Sequence, residues 1–508
     1  MPLTVAAPAL ARVRPQTQTA RLLAFALIAA AGLGLRIWID RAAVGIPDSD
    51  EAIVGLMVRH ALHGEVSTFY WGQPYGGSQE AILTVPLFAV FGASYTALRV
   101  VPIVLSAVAA LLVWRVGRRT LPGTGPALAG VLMWVWLPES LVHLTHQYDF
   151  YASEVVYAAL LLLLVLRVVE RPTALRVGLL GLTLGLAFWQ SVQIIPIALP
   201  ALAWGAWKQP RALRHAWLGG ALAVVGALPW IVWNIRHDWG SLMDRADLHQ
   251  YTHSLRLFAS PLLPMTLGLR TPLTGELLLP SKVAITVAYA ALLILASIGA
   301  VRYRHRAVAL PFVVFFVFPF VWAVAKRVTY LSATPTYLIV VTPVIVLLVA
   351  LLGRRPPAAV AVAVAALAIS AVSIQRMDDD TKAIHPRGIP VVPRDLSPLV
   401  ATLDRAGVTH VYADYWITYR LAFDTNERIV ATEVDPGRGS IRNGVVYRSS
   451  DRIPRQPSYA RAVDESSRRG FVFFRRSAGL ALPQRLEALG YRRILTGEFA
   501  VYLPPLTN

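Results

Sequence analysis

Long apolar runs separated by short basic loops set the pattern over the first three quarters of this chain. Windows close to the roughly 20 residues that cross a hydrocarbon core recur at 21–39, 95–116, 124–141, 151–168, 174–190, 193–207, 217–234, 283–301, 308–325, 336–352 and 358–374. Arginine clusters punctuate them at every second boundary. Arg12, Arg14 and Arg21 open the first run and Arg115, Arg118 and Arg119 close the second. Arg167, Arg171 and Arg176, then Lys208, Arg211 and Arg214, then Arg302, Arg304 and Arg306, and finally Arg354 and Arg355 continue the series. Basic loops stay on the cytoplasmic side. The pattern therefore predicts about 11 transmembrane helices, a cytoplasmic N-terminus and an external C-terminal region. A cleaved signal peptide over 21–39 is an alternative, given its arginine-containing flank and small residues; the length of the run favours a retained span. The apolar segment 79–91 is too short to span. It is expected to lie as an external helix half in the interface.

From about residue 376 the pattern changes. Leu396–Ala406 reads as a helix, His410–Tyr415 and Arg428–Val434 as strands, and Gly470–Phe474 as a buried strand. Pro483–Leu489 reads as a helix and Tyr491–Leu503 as a closing hairpin. The expected fold is thus an α-helical polytopic membrane protein over 1–375, with a soluble α/β domain over 376–508. The Pro/Gly/Arg-rich stretch 435–458 is expected to be a flexible loop.

Composition supports this division. Of 508 residues 56% are apolar and 15% charged, outside the range of soluble domains. The absence of cysteine excludes disulfides, thiol nucleophiles and Cys-ligated zinc. A net charge of +19 is accounted for by the arginines of the short loops, so no nucleic-acid partner is expected. Neither a Walker-type loop nor a dinucleotide fingerprint is present.

Candidate chemistry gathers in the predicted external loop 40–94. Asp48-Ser49-Asp50-Glu51 follows the first apolar run and opens a helix expected to lie on the membrane, with Ile53, Leu56, Met57 and His60 on its apolar face. Asp48 stands three residues before Glu51, the spacing of a capping interaction. Asp50 has no such duty, and a helix N-terminus favours its ionised form, as a general base requires. Asp50, with Glu51 and Asp48, forms the candidate catalytic set. Asp48 and Asp50 also offer oxygen ligands for a divalent cation. The stretch from Tyr70 to Glu80 adds Gln73, Tyr75, Gln79 and Glu80, side chains suited to stacking on and hydrogen bonding a sugar; an interfacial aromatic belt explains only the aromatic members. A further polar cluster holds His143, His146, Tyr148, Asp149 and Glu154. Glu154 enters the start of a span, where a carboxylate is costly, and the histidines lack zinc spacing. Arg99, Lys326, Arg327 and Tyr330 break the positive-inside pattern. They are candidates for a lipid phosphate, with snorkelling as the plain alternative.

Taken in order, these pieces resemble the polytopic glycosyltransferases of the GT-C superfamily, among them bacterial relatives of protein O-mannosyltransferases and aminoarabinose transferases (family 39-like). The matching elements are Asp50-Glu51, the segment ending Phe88-Ala89-Val90-Phe91-Gly92, Ala97-Leu98-Arg99-Val100-Val101-Pro102 leading to Arg118-Arg119, and Arg327-Val328-Thr329-Tyr330-Leu331. The resemblance implies a polyprenyl-phosphate sugar as donor. It also implies a glycan, lipid or protein acceptor on the external face of the plasma (inner) membrane, and Asp50 as base or acceptor-orienting group. Gln73-Pro74-Tyr75 stands where such enzymes carry a Lys-Pro-Pro-like element, so a lysine is missing. Tyr412-Ala413-Asp414-Tyr415-Trp416 in the tail is a candidate cap on the donor pocket. Substitution with one base is expected to invert the anomeric centre. A lipid-linked-sugar flippase is the rival reading; flippases and transporters place ionisable groups near the bilayer midplane and often repeat their halves, whereas here the carboxylates gather in loops.

Overall fold

The computed structural model describes residues 15–242, 248–272, 274–278, 307, 309–325, 334–384, 392–448 and 454–505, with positions 283, 287, 290, 291 and 294. The chain begins with eight helices: α1 (Pro15–Arg41), α2 (Ser49–Leu62), α3 (Gln79–Phe91), α4 (Tyr95–Thr120), α5 (Gly125–Val135), α6 (Pro138–His143), α7 (Tyr151–Glu170) and α8 (Ala174–Gln190). Among the described residues four helices are long and apolar enough to cross a membrane: α4, α7, Thr336–Arg354 and Pro356–Lys382. A bent pair, Pro210–Gly226 with Leu228–Arg236, meets the same test jointly. This is the build of a multi-pass membrane protein.

Several expected runs are not single rods. The run 124–141 divides between α5 and α6 at Leu137, whose φ is 67°, because Pro138 cannot donate to the preceding turn and restricts the residue before it. The run 217–234 bends by 60° where Pro229 opens its second segment. The run 283–301 lies largely outside the described residues. The final long helix, Pro356–Ile384, continues past residue 375. Close packing of α8 on Ala216–Gly226 rests on small residues: a Cβ on Gly181 or Gly185 would fall about 2 Å from a carbonyl oxygen of that helix.

The helix α2 forms as its capping residues predict. Asp48 has extended backbone, its Oδ1 accepts from the Glu51 N–H at 3.0 Å, and Asp50 and Glu51 occupy the first turn. Its setting differs from the expectation. Its apolar face is not left open. Ile53, Val54, Leu56, Met57 and Val58 are all buried, because α3 and α4 cover one side and the C-terminal region covers the other.

That region contains a five-stranded sheet of β1 (His410–Ala413), β2 (Val430–Glu433), β5 (Arg469–Phe474), β6 (Arg492–Thr496) and β7 (Phe499–Leu503), in the order β2-β1-β5-β7-β6. The pairs β1–β2 and β1–β5 are parallel; β5–β7 and β6–β7 are antiparallel. Residues of β5 and β7 alternate between two apolar layers. Val472, Phe474, Val501 and Leu503 pack with the helix Ser397–Ala406, while Phe471, Phe473, Ala500 and Tyr502 face the opposite layer. The described part of 435–458, residues 435–448 and 454–458, is more structured than expected. It holds the hairpin of β3 (Ser440–Arg442) and β4 (Val445–Tyr447).

The helix Tyr415–Asp424 follows β1 and packs along α2. Phe423 approaches Gly55 so closely that a Cβ there would lie 2.5 Å from its ring. Polar contacts fix the register. Ser49 Oγ donates to the Tyr415 carbonyl at 2.6 Å, Arg420 Nη1 donates to the Pro47 carbonyl at 3.1 Å, and Tyr95 donates to Asp424 at 2.9 Å. At the other end of α2, Glu427 takes Arg59 at 3.2 Å, His60 at 3.0 Å and the Tyr459 hydroxyl at 2.7 Å.

Candidate active site

The three acidic residues of the opening run have separate surroundings. Asp48 uses both oxygens: Oδ1 caps α2 and Oδ2 accepts from the Tyr148 hydroxyl at 3.2 Å. Burial, reinforced by the neighbouring Asp50 charge, pushes its carboxyl up to about 7. Glu51 is fully buried and held in a forked pair by Arg99, with Nε at 2.8 Å and Nη2 at 2.5 Å. Its Oε1 also accepts from the Gln147 N–H at 3.1 Å. Arg99 further donates to Asp40. Its guanidinium is therefore committed to two carboxylates, in place of the open cation expected from sequence.

Asp50 is partly exposed. Its Oδ1 accepts from the Tyr70 hydroxyl at 3.2 Å and from the Tyr415 hydroxyl. Burial, with the Asp50 charge next, raises both phenols well above their ordinary range, so they remain donors. Among the described residues no hydrogen bond reaches Asp50 Oδ2.

Beside these rings lies Arg455, delivered by the C-terminal region. Its guanidinium carbon is 5.7 Å from the Tyr70 ring centre and 5.5 Å from that of Tyr415. Its backbone N–H donates to Glu433 at 2.9 Å. With the Gln73 amide turned so that its oxygen faces the guanidinium, that oxygen accepts from Nη1 and Nη2 at 2.7 Å, and the amide nitrogen donates to the Tyr75 hydroxyl at 2.7 Å. No carboxylate lies at ion-pair distance from Arg455 among the described residues. Gly72 makes room for it: φ is 68°, and a Cβ there would lie 2.6 Å from Arg455 Cδ.

The other residues proposed from sequence divide in two. Tyr148 bonds Asp48, and Gln73 and Tyr75 stand beside Arg455. Gln79, Glu80, Asp149 and Glu154 are placed in the packing between helices. Gln79 Oε1 accepts from Tyr157 at 2.5 Å and its Nε2 donates to the Leu186 carbonyl at 2.9 Å, while Glu80 takes the Ser153 N–H at 2.7 Å and its hydroxyl at 2.8 Å. Asp149, at φ 70°, and Glu154 are buried. His146 is buried behind Tyr148, its ring centre 5.2 Å away, and burial pushes its imidazole well down, keeping it neutral. Lys326, Arg327 and Tyr330 lie outside the described residues.

Tyr415 belongs to the segment expected to cap the donor pocket, whereas no role for Tyr70 or Arg455 follows from the sequence. The signal for Tyr415 was the aromatic Tyr412–Trp416 segment; for Arg455 there was none beyond its charge. The cation reading of Asp48 and Asp50 fits poorly. Both Asp48 oxygens are occupied and Arg455 already stands beside Asp50. Among the described residues no group of three or more His, Asp or Glu is placed to hold a metal.

Among the described residues the arrangement joins a carboxylate with one oxygen anchored and one open to a guanidinium whose hydrogen-bond partners are neutral. It can accept a proton and neutralise a neighbouring anion at once. A family model described as dolichyl-phosphate-mannose-protein mannosyltransferase matches residues 82–233. No curated protein matches the chain. Among solved structures, ArnT from Cupriavidus metallidurans in the apo state aligns with a TM-score of 0.60 at 14% identity, covering 95% of this chain and 98% of that one. The same protein bound to undecaprenyl phosphate aligns at 0.58, again at 14% identity, covering 94% and 97%. The chain therefore has the ArnT fold, and it resembles the GT-C superfamily of membrane glycosyltransferases in its protein O-mannosyltransferase and aminoarabinose transferase branch.

Proposed function

We propose that this protein transfers a sugar from a polyprenyl-phosphate donor to an acceptor hydroxyl of a cell-envelope glycan, lipid or protein, on the external face of the membrane. The observation that carries the reading is the placement of Asp50 and Arg455 on the same two tyrosines, Tyr70 and Tyr415. Tyr70 and Tyr415 hold Asp50 Oδ1, which leaves Oδ2 to take the proton of the attacking hydroxyl. Arg455 faces the phosphate and offsets the charge that grows on it as the glycosidic bond breaks. Among the described residues its hydrogen-bond partners are neutral and its charge is offset only by the nearby Asp50, and it supplies a cation where the first loop has Gln73 instead of lysine. One base and one leaving phosphate give inversion at the anomeric carbon. The likeness to ArnT, one structure of which holds undecaprenyl phosphate, supports the donor class. No divalent cation is assigned a step.

The test is to give the purified protein either polyprenyl-phosphate monosaccharides or the corresponding nucleotide sugars, with membrane extract as acceptor. Transfer from the lipid-linked donor alone is expected. Transfer from nucleotide sugar with all polyprenyl phosphate removed would overturn the donor assignment.

A further inference from the structure

At the opposite end of α4 and α7 from Asp50 there is a cavity of about 410 Å³, lined by Arg115, Arg118, Arg119, Arg167 and Glu170. Four guanidinium groups face one carboxylate. Arg119 is tied to Glu170 at 3.0 Å and to the Arg115 carbonyl at 3.2 Å. Arg118 stacks on Trp114 at 5.2 Å. Among the described residues Arg115, Arg118 and Arg167 have no ion-pair partner. The basic clusters of a membrane protein ordinarily project into solvent to fix topology. Here they also converge from the ends of two spans onto one open concavity, with Arg115 and Arg118 exposed and Arg167 half-buried, leaving three charges without a counter-ion among the described residues.

The depth of the cavity is set by helix geometry. Arg99 meets Glu51 near one end of α4, and Arg118 lies 19 residues further on, roughly 28 Å along the axis at the α-helical rise. That is close to the thickness of a hydrocarbon core, about 30 Å. With one bilayer boundary at the level of Arg99, the cavity falls at the head-group level of the opposite leaflet, where a lipid places its phosphate.

We propose that this cavity binds a phosphate-bearing group, held by the forks of Arg115, Arg118 and Arg167. Two sources share this chemistry: the head group of an anionic phospholipid, and a soluble phosphate or pyrophosphate. The proposal is independent of the sugar-transfer reading.

The experiment compares full-length wild type with Arg118→Gln/Arg167→Gln, and with Arg211→Gln/Arg214→Gln as an equal charge loss outside the cavity. Lipid retention is measured by native mass spectrometry with phosphatidylglycerol against phosphatidylcholine, and pyrophosphate binding by calorimetry. For a lipid occupant, phosphatidylglycerol affinity should fall roughly 30-fold in the cavity variant and less than about threefold in the control. Saturable pyrophosphate binding lost only in the cavity variant would assign the same site to a soluble anion. Arg118→Lys/Arg167→Lys, with melting temperatures, separates misfolding from lost recognition, since it keeps the charge and should retain part of the affinity. Equal losses in the cavity variant and the control would overturn the proposal. So would a wild type that retains both lipids alike and binds no pyrophosphate.

Discussion

Replacing Arg455 by glutamine removes a cation that neutral contacts place near Asp50, and its consequences for stability and for rate differ enough to separate. In the resting protein the guanidinium makes two ring contacts, at 5.7 and 5.5 Å, and a forked bond to the Gln73 amide. Ring contacts of this kind contribute about 0.5–1 kcal/mol each and a neutral hydrogen bond about 1 kcal/mol. The expected loss is then about 2–3 kcal/mol, which a folded protein withstands. The effect on a phosphate is larger. At about 4 Å and an effective dielectric of 20, a full unit charge interacts with the guanidinium by about 4 kcal/mol. If half of that charge develops as the bond breaks, the rate falls by roughly 30-fold; loss of a preorganised donor elsewhere has cost up to about 10³-fold. The prediction is a 30- to 1,000-fold fall in kcat. Affinity for polyprenyl phosphate should weaken by at least about tenfold, because a charge-assisted bond is lost. Arg455→Lys keeps the charge without the fork and should recover part of both. Initial transfer rates and polyprenyl-phosphate titration by intrinsic fluorescence read the two effects separately. A folded Arg455→Gln protein that binds the lipid phosphate and turns over at wild-type levels would refute the role assigned to Arg455.

Four further outcomes follow from the geometry. Asp50→Asn should lower the transfer rate about 10²–10⁴-fold without unfolding the protein, whereas Asp48→Asn, which still caps α2, should cost far less; collapse of both, with wild-type activity lost to a chelator and restored by a divalent cation, would favour a metal instead. Because the folded Asp48 carboxyl is raised to about 7, its stabilising contribution is complete below its unfolded value and is lost as pH rises through 7; the melting temperature should fall more between pH 5 and 8 in wild type than in Asp48→Asn, and equal slopes would exclude Asp48 as the source. Arg99→Gln leaves buried Glu51 without its partner and should destabilise by about 3–5 kcal/mol, seen as a large drop in melting temperature; a stable variant impaired only in lipid-phosphate binding would restore Arg99 to the site. Gly55→Ala pushes a methyl into the Phe423 ring and should cost about 1–3 kcal/mol and lower activity, since Tyr415 and Arg455 ride on the same docked region; Gly55→Ala with Phe423→Leu should recover much of both, and no recovery would place the defect elsewhere.

The parts of the site that could be read from sequence are those set by local rules. The Asp48 cap depends on a spacing of three residues, and the helix it opens follows at once. The strands β1, β5 and β7 announce themselves by short apolar runs between turn signals. Tyr415 and Arg455 obey no such rule. Their meeting with Asp50 spans more than 360 residues of chain and exists only because the Tyr415–Asp424 helix packs along α2. Arg455 lies in a stretch whose prolines, glycines and arginines look like a solvated loop, and its partners Gln73 and Tyr70 carry no charge to advertise it. The same docking misled the reading of α2. A helix apolar on one stripe suggests a membrane surface, but here a second protein layer covers the other side.

The opening acidic run also shows how identical chemistry is divided by surroundings. Three carboxyl groups within four residues repel one another, and three ionised neighbours would destabilise the first turn of α2 despite its favourable dipole. The structure resolves the conflict one group at a time. Arg99 neutralises Glu51 in a buried fork. Burial and the charge of Asp50 drive Asp48 toward its protonated form, so below about pH 7 it caps the helix without adding a full charge. Asp50 is the member with an oxygen that takes no hydrogen bond among the described residues. Asp50 is also the member that faces Arg455, Tyr70 and Tyr415. Exchanging the roles would need a different burial pattern as well as a different sequence. Asp48→Asn and Asp50→Asn remove the same atom two residues apart, and on this account they should have effects of different kinds: the first on the pH dependence of stability, the second on turnover.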